Sequence, residues 1–453
     1  MKMRLVLAGA AVAASLGLCA ATVPAAAAPA GGPLKLRVRC GDTADLVRAV
    51  RKANDRADGA TITLAARCAY RFTGPYRDSG AALPPVTGKV TLAGDHSTLI
   101  RSVEDERFRL LDVRRRAQLV LQGVTVTGGD VRGDGGGIRT AGTLRLEHST
   151  VAGNRAGGNG GGIANLGGSV ALSDSAVRTN TASGPRERGD QGRDEHGGDG
   201  RDEDRGDGPG EDEGRGEDGP EDGADQGGPD AGADDGGADD GEAARALAGG
   251  GPAGGGGVYN DPAGTVTLFR TTVAGNTAER DGGGILNRGS LLVRNSRLEH
   301  NEARTGHGGG LDNHGTASVN GTVLSENWAG HDGGGARNAG RSVLETGGSD
   351  FLRNRAGRDG GGVSNAGRAT LEQAKVLANQ AGRDGGGLSN RVSPGDGVAE
   401  LRVKHSEVRD NRAAGRGGGV DNRFGTTAEL TRTRVSGNLP TNCAGPVAGC
   451  SAH

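Results

Sequence analysis

The chain has 453 residues, of which 90 are Gly and 15 Pro, with only nine aromatics: five Phe, three Tyr and one Trp. That composition excludes a single compact, aromatic-rich core and leaves disorder or a repeat. The formal net charge of −2 conceals a division, because residues 184–253 hold 23 Asp plus Glu against seven Arg, a balance of −16, so the remainder carries +14; with no basic run interleaved with aromatics, nucleic acid is excluded as an expected partner.

Residues 1–30 open with Lys2 and Arg4, continue as an apolar stretch from Leu5 to Leu18, and end in small residues with Ala-x-Ala sites near Ala26 to Ala30. This is the pattern of a cleaved secretory signal. Cys19 follows Leu16-Gly17-Leu18, a lipoprotein-box-like run in which Leu18 is too bulky for the position before a cleaved bond. No later segment has enough consecutive apolar residues to span a bilayer. The expectation is a secreted, extracellular, monomeric protein with no membrane span.

Loss of the signal removes Cys19 and leaves Cys40, Cys68, Cys443 and Cys450, which an oxidising compartment converts to disulfides. Three pairings are open. Cys40 with Cys68 and Cys443 with Cys450 is favoured because each pair brackets one end of a repeat array. Zinc is the rival, opposed by the lack of CxxC spacing and of a nearby His.

Residues 31–118 read as an N-terminal cap and first irregular coils. Asp42-Thr43-Ala44-Asp45 can cap a helix whose Leu46, Ala49, Val50 and Ala53 fall on one face, and this helix is expected to plug the end of the array. Tyr70 and Phe72 are expected to pack beside it.

Residues 119–183 and 254–438 carry the repeat. Three glycines, an apolar residue, any residue and then Asn, with Thr140 the one departure, recur with the apolar position at Ile138, Ile163, Val258, Ile285, Leu311, Ala336, Val363, Leu388 and Val420. The spacing is 25 to 27 residues, apart from the insert and a loop at 391–398 containing Pro394. Between triplets runs a second pattern, as in Leu291, Val293, Ser296, Leu298 and Asn301. Period-two alternation over such short runs means strands, and several strands per repeat mean one solenoid turn. The predicted fold is all-β, a parallel β-helix of about 10–12 coils.

A lone coil cannot offset its own ordering entropy, so copies must stack at about 4.8 Å. Stacking gives the Asn columns a structural reason. One runs through Asn287, Asn313, Asn338, Asn365, Asn390 and Asn422, the other through Asn301, Asn327, Asn354, Asn379 and Asn411. Their amides are expected to bond along the axis and to take the left-handed conformation at bends. Ligand binding by these Asn is the alternative.

Residues 184–253 form an acidic Gly/Asp/Glu/Arg-rich insert with almost nothing to bury, read as a disordered, solvated spacer. It contains the tripeptides Arg188-Gly189-Asp190 and Arg205-Gly206-Asp207, and a single partial match to a Ca²⁺-binding nonapeptide at Gly197 to Asp202. Residues 439–453 are a C-terminal disulfide cap.

The triplet repeats, the Ser-x-Val-x-x-Asn repeats, the Cys40 to Cys68 segment and the ending Gly437-Asn438-Leu439-Pro440-Thr441-Asn442-Cys443 resemble secreted right-handed parallel β-helix repeat proteins of high-GC bacteria. Their repeat style is similar to that of polymorphic outer-membrane proteins, and the resemblance implies a pectin-lyase-like fold. Such families include lyases, polygalacturonases and adhesins, so the resemblance selects no activity.

Two enzyme readings follow from it. Glycosidases of this fold use paired carboxylates with G-H-G and R-I-K-like segments; Gly306-His307-Gly308 and Arg402-Val403-Lys404 resemble two of these, yet the carboxylate segments are missing. Lyases need Ca²⁺ on stacked acids and an Arg or Lys base. Asp281, Asp332, Asp359 and Asp384 precede glycine triplets, with Arg358 and Arg383 each just before one, so these six are the Ca²⁺ or uronate candidates. The competing reading is Asp-Gly turns screened by Arg. His300, His307, His314 and His331 fall within two coils at different repeat positions and are expected not to converge. The leading expectation is a non-catalytic protein that binds extracellular polysaccharide or a cell-surface protein without cofactor; the alternative is a Ca²⁺-dependent polysaccharide lyase or a glycosidase.

Overall fold

The short alternating runs fold as strands that pair in parallel with their equivalents one coil away, forming a β-solenoid of about 13 turns. The structure is a computed structural model describing residues 33–103, 106–184, 253–392, 397–423 and 425–450. The predicted signal segment, both Arg-Gly-Asp tripeptides, the nonapeptide match and Pro394 lie outside the described residues.

One coil shows how the sequence period becomes three walls. Ser290–Arg294 and Arg297–Glu299 join a broad sheet of 24 strands, Glu302–Ala303 a narrow sheet of nine, and Ile285–Asn287 a third sheet of eleven. Ile285, Leu291, Val293, Leu298 and Ala303 point inward and are buried. One coil on, Leu311, Ala317, Val319, Leu324 and Ala329 stand in register with them. The core is therefore a set of continuous apolar columns, each residue stacked on its equivalent.

The turn count exceeds the expected 10–12, and residues 34–127 contribute turns through the broad sheet without adding a strand to the narrow one. Leu34–Val38 pairs with Ala60–Leu64, that strand with Lys89–Arg101, and that with Gln118–Thr127. These coils keep the inward apolar spacing without the glycine triplet, the signal on which the count relied. Across the acidic insert the array is uninterrupted: Ile163 pairs with Val258, Asn165 with Asn260 and Thr181 with Thr277.

Both Asn columns form ladders. Asn287 Nδ2 donates to Asn313 Oδ1 at 2.7 Å, and Asn313, Asn338, Asn365 and Asn390 continue the chain to Asn422 at 2.7–2.8 Å. The second column bonds at 2.9–3.0 Å from Asn154 to Asn438. The expected left-handed conformation falls elsewhere. It is the residue before each second-column Asn that takes positive φ, as at His300 (54°), Glu326 (55°) and Arg353 (52°). The reason is that the bend must come before the amide for the amide to turn inward beneath the next coil.

The helix α1, Thr43–Asn54, buries Leu46, Ala49, Val50 and Ala53 and packs on the first strands of the broad sheet. Asp42 Oδ1 accepts the Asp45 N–H at 2.8 Å, the predicted cap. Tyr70 is fully buried, and its hydroxyl donates to the Val38 carbonyl at 3.2 Å. Cys40 bonds Cys68 and Cys443 bonds Cys450. Around the second bridge, Cys443–Ala444 and Val447–Ala448 add a last partial coil to the third and broad sheets.

Candidate functional site

Between the narrow and third sheets the chain turns through the glycine triplet. At Gly333 φ is +72° and an added Cβ would lie 2.6 Å from the Ala336 carbonyl, so only glycine fits there. The residue before the triplet is thereby fixed in one column, occupied by Asp134, Asn159, Asp281, His307, Asp332, Asp359, Asp384 and Arg416.

This column is a third ladder. Asp281 Oδ1 accepts the His307 N–H at 2.8 Å, Asp332 Oδ1 the Asp359 N–H at 3.0 Å, Asp359 Oδ1 the Asp384 N–H at 3.1 Å and Asp384 Oδ1 the Arg416 N–H at 2.7 Å. Where His307 replaces Asp, its Nδ1 accepts the Asp332 N–H at 3.3 Å. One oxygen of each carboxylate thus bonds the backbone of the coil above.

The second oxygens face separate side chains, an Arg for Asp281, Asp359 and Asp384 and the His307 ring for Asp332. Asp359 Oδ2 meets Arg383 at 2.5 Å and Arg391 at 3.1 Å, Asp384 Oδ2 meets Arg423, and Asp332 Oδ2 lies 3.3 Å from His307 Nδ1. Asp281 Oδ2 is 3.8 Å from Arg280. The four candidates therefore stack without turning spare oxygens towards one point, and among the described residues no group of three or more His, Cys, Asp or Glu is arranged to hold a metal ion. These donors do not fit Ca²⁺, which takes six to eight oxygens. Arg383 is bound to Asp359, its guanidinium held above the ordinary Arg range by that bond. The Arg358 side chain makes no hydrogen bond or ion pair among the described residues.

Beside the column, most middle residues of the third-sheet strands are buried, among them Asp312, Arg337 and Asp421. Asp312 is fully buried there, with His314 Nε2 at 2.7 Å from Oδ2 and Arg337 at 3.5 Å from Oδ1. Burial alone would raise this carboxyl, but the His314 and Arg337 charges hold it well below the usual carboxylate range. The same opposition acts at Asp332, where burial is outweighed by the bond to His307. His307 and His331 meet edge to face at 5.1 Å between ring centroids. Three of the four histidines therefore gather around Asp312 and Asp332. They approach because positions differing along the repeat become diagonal neighbours on adjacent coils, yet among the described residues they form no group arranged to hold a metal ion. His300 is apart, 2.8 Å from Glu326. Two charged middle residues flanked by inward ones, Asp312 and Arg337, were the available sequence signal for this cluster.

The glycosidase-like pieces are not brought together. His307 lies in the column, whereas Arg402 and Lys404 belong to a broad-sheet strand, and Arg402 pairs with Glu400.

A different surface combines an aromatic with cations. On the outer face of the narrow sheet, Glu302, Trp328, Arg355, Gln380 and Arg412 form one row in register. Trp328 is half-buried, and Arg355, Gln380 and Arg412 are exposed. Alongside runs a strip of Gly330, Gly357 and Gly382, where any Cβ would collide with the neighbouring coil's backbone, so the surface beside the indole is flat. Beyond the strip come His331, Arg358 and Arg383. Arg355 and Arg412 make no side-chain hydrogen bond or ion pair among the described residues. Sequence reasoning missed this row; its signal is the Trp at Asn327-Trp328-Ala329, where other coils place a polar or charged residue.

No helix among the described residues is long and apolar enough to cross a membrane. No family model, curated protein or solved structure matches the chain.

Proposed function

We propose that the chain is a secreted, monomeric, right-handed β-helix of pectin-lyase-like architecture that binds an acidic polysaccharide outside the cell without cleaving it. The observation that carries this reading is the row of Trp328, Arg355 and Arg412 beside a flat glycine strip. An indole presents an apolar face to a sugar ring, and guanidinium forks match carboxylates or sulfates. Successive coils repeat these groups along an axis, which suits a polymer. The +14 carried outside the insert favours an anionic one.

The right hand is supported by the strong preference for right-handed connections between parallel strands. Secretion is supported by the two disulfides together with the signal-like start. Against catalysis stands the column of Asp281, Asp332, Asp359 and Asp384, whose oxygens already bond backbone N–H groups and face Arg or His side chains.

The test is incubation of the purified protein with acidic and neutral polysaccharides, with and without Ca²⁺, following pull-down and the appearance of unsaturated or reducing ends. Retention on acidic polymers that Trp328→Ala and Arg355→Gln weaken, with no products, is the expected result. Ca²⁺-dependent product formation would overturn it in favour of the lyase.

A further inference from the structure

On the N-terminal part of the solenoid, away from Trp328, an open depression of about 490 Å³ is lined by Arg107, Arg109 and Arg132 together with Glu106. It continues into a smaller pocket of about 100 Å³ that also includes Asp130 and Arg155. Among the described residues, Arg107, Arg109 and Arg132 are the cations of the larger depression and Glu106 its acid.

Arg109 forms the floor. It is 7% exposed, and its Nε and one terminal nitrogen donate to the Gly135 and Asp134 carbonyls at 3.3 and 3.1 Å, while the other terminal nitrogen has no partner among the described residues. No carboxylate pairs with this buried guanidinium. Burial, and then the Arg139 and Arg114 cations, lower its pKa to about 10 against the opposing pull of Asp112 and Asp134. At the rim Arg107 stands 3.6 Å from Asp130, and Arg132 is exposed without a hydrogen bond or ion pair among the described residues. Gly80 and Gly133 face open space, which leaves the floor accessible.

A buried guanidinium with a free donor, flanked by two more in a concave surface, is the arrangement that receives a multivalent oxyanion through charge-assisted bonds. We propose that this depression is a binding site for a phosphate group, held by Arg109 from below and by Arg107 and Arg132 from the sides. Asp130 and Arg155 continue the row of Trp328 along the same sheet, with Arg155 four coils before the indole; the site is argued from Arg109 and does not rest on the polysaccharide reading.

Calorimetric titration of the full chain with inorganic phosphate and with glucose 6-phosphate, against acetate as control, tests it. Saturable one-to-one binding to at least one phosphate, absent for acetate, is expected. Tighter binding of the ester assigns the group to a phosphorylated sugar, and tighter binding of the free ion assigns it to phosphate itself; both support the site. Arg132→Gln should weaken binding about tenfold or more, with Arg109→Gln weaker still and Trp328→Ala unchanged. Arg132 makes no side-chain bonds, so its variant reads binding without a folding defect. No saturation by either phosphate up to about 10 mM, or wild-type affinity in Arg132→Gln, would overturn the proposal.

Discussion

Asn365 shows what one side chain does in a stacked array. It accepts from Asn338 at 2.8 Å and donates to Asn390 at 2.8 Å and to the Gly367 and Glu400 carbonyls at 3.0 Å, all while almost fully buried. Asn365→Ala leaves these partners unsatisfied, so urea unfolding should show a loss of about 2–3 kcal/mol, with polysaccharide retention unchanged. Asp359 separates the structural role of its column from a Ca²⁺ role. Asp359→Asn keeps the acceptor for the Asp384 N–H and loses only the Arg383 and Arg391 pairs, whose Arg side chains are substantially exposed; a loss of about 1 kcal/mol is expected. Asp359→Ala also removes the acceptor and should cost about 2–3 kcal/mol. In neither variant, nor in the wild type, should Ca²⁺ shift the melting temperature; a Ca²⁺-dependent rise abolished by both variants would restore the metal reading.

The His–Asp cluster makes stability depend on pH in a stated direction. His331 is lowered from its ordinary 6.5 by burial and then by His307 and Arg358, against the opposing pull of Asp332 and Asp281. The unfolded chain therefore binds a proton at His331 more readily, so this contribution is full above neutral pH and is lost as pH falls below 6.5. Asp312 and Asp332 are depressed, so their contribution is present above the unfolded value of 3.8 and is lost as pH falls through their lower folded values. Melting followed from pH 8 to pH 3 should decline in both ranges, and His331→Gln should flatten only the upper one.

At the scale of elements, the two bends that follow the long and the short broad-sheet strands are held by side chains from the next coil, Ser or Thr at the first and Asn at the second. The Ser and Thr after the long strand, read in the sequence only as small residues, form a ladder of their own. The Ser149 N–H donates to Ser175 Oγ at 3.1 Å, and the Thr271 N–H to Ser296 Oγ at 3.1 Å. The helix α1 is the element with a separate job, covering the apolar end of the first coil. Asp42→Ala removes its cap and should cost about 1 kcal/mol. Leu46→Ala empties a fully buried position and should cost about 2–5 kcal/mol. If α1 is the plug, this variant should also associate through the uncovered end, as light scattering would detect.

Across the whole molecule, the strand register on either side of residues 185–252 is unbroken, since Ile163, Ala164 and Asn165 pair directly with Val258, Tyr259 and Asn260. Deleting 185–252 should therefore leave the circular dichroism spectrum and thermal midpoint unchanged. It also removes the whole acidic balance of −16. Binding to anionic polymers should tighten, most visibly at low ionic strength where long-range charge is least screened.

The sequence by itself determined the solenoid, its period, both Asn ladders, the cap helix and the disulfide partners, because a repeat writes the same local instruction in every coil. Val293, Leu298 and Asn301 occupy equivalent places in each copy, so local spacing and long-range contact coincide. Along-chain reading was weakest where neighbours are set by stacking between unlike positions. The diagonal meeting of His307 with His331, the charged cluster around Asp312, the flat strip beside Trp328 and the depression over Arg109 each join residues from different coils at different repeat positions. Only the tertiary structure decided those, because the register between coils and the direction of each side chain, rather than residue type, fix which charges pair and which remain free.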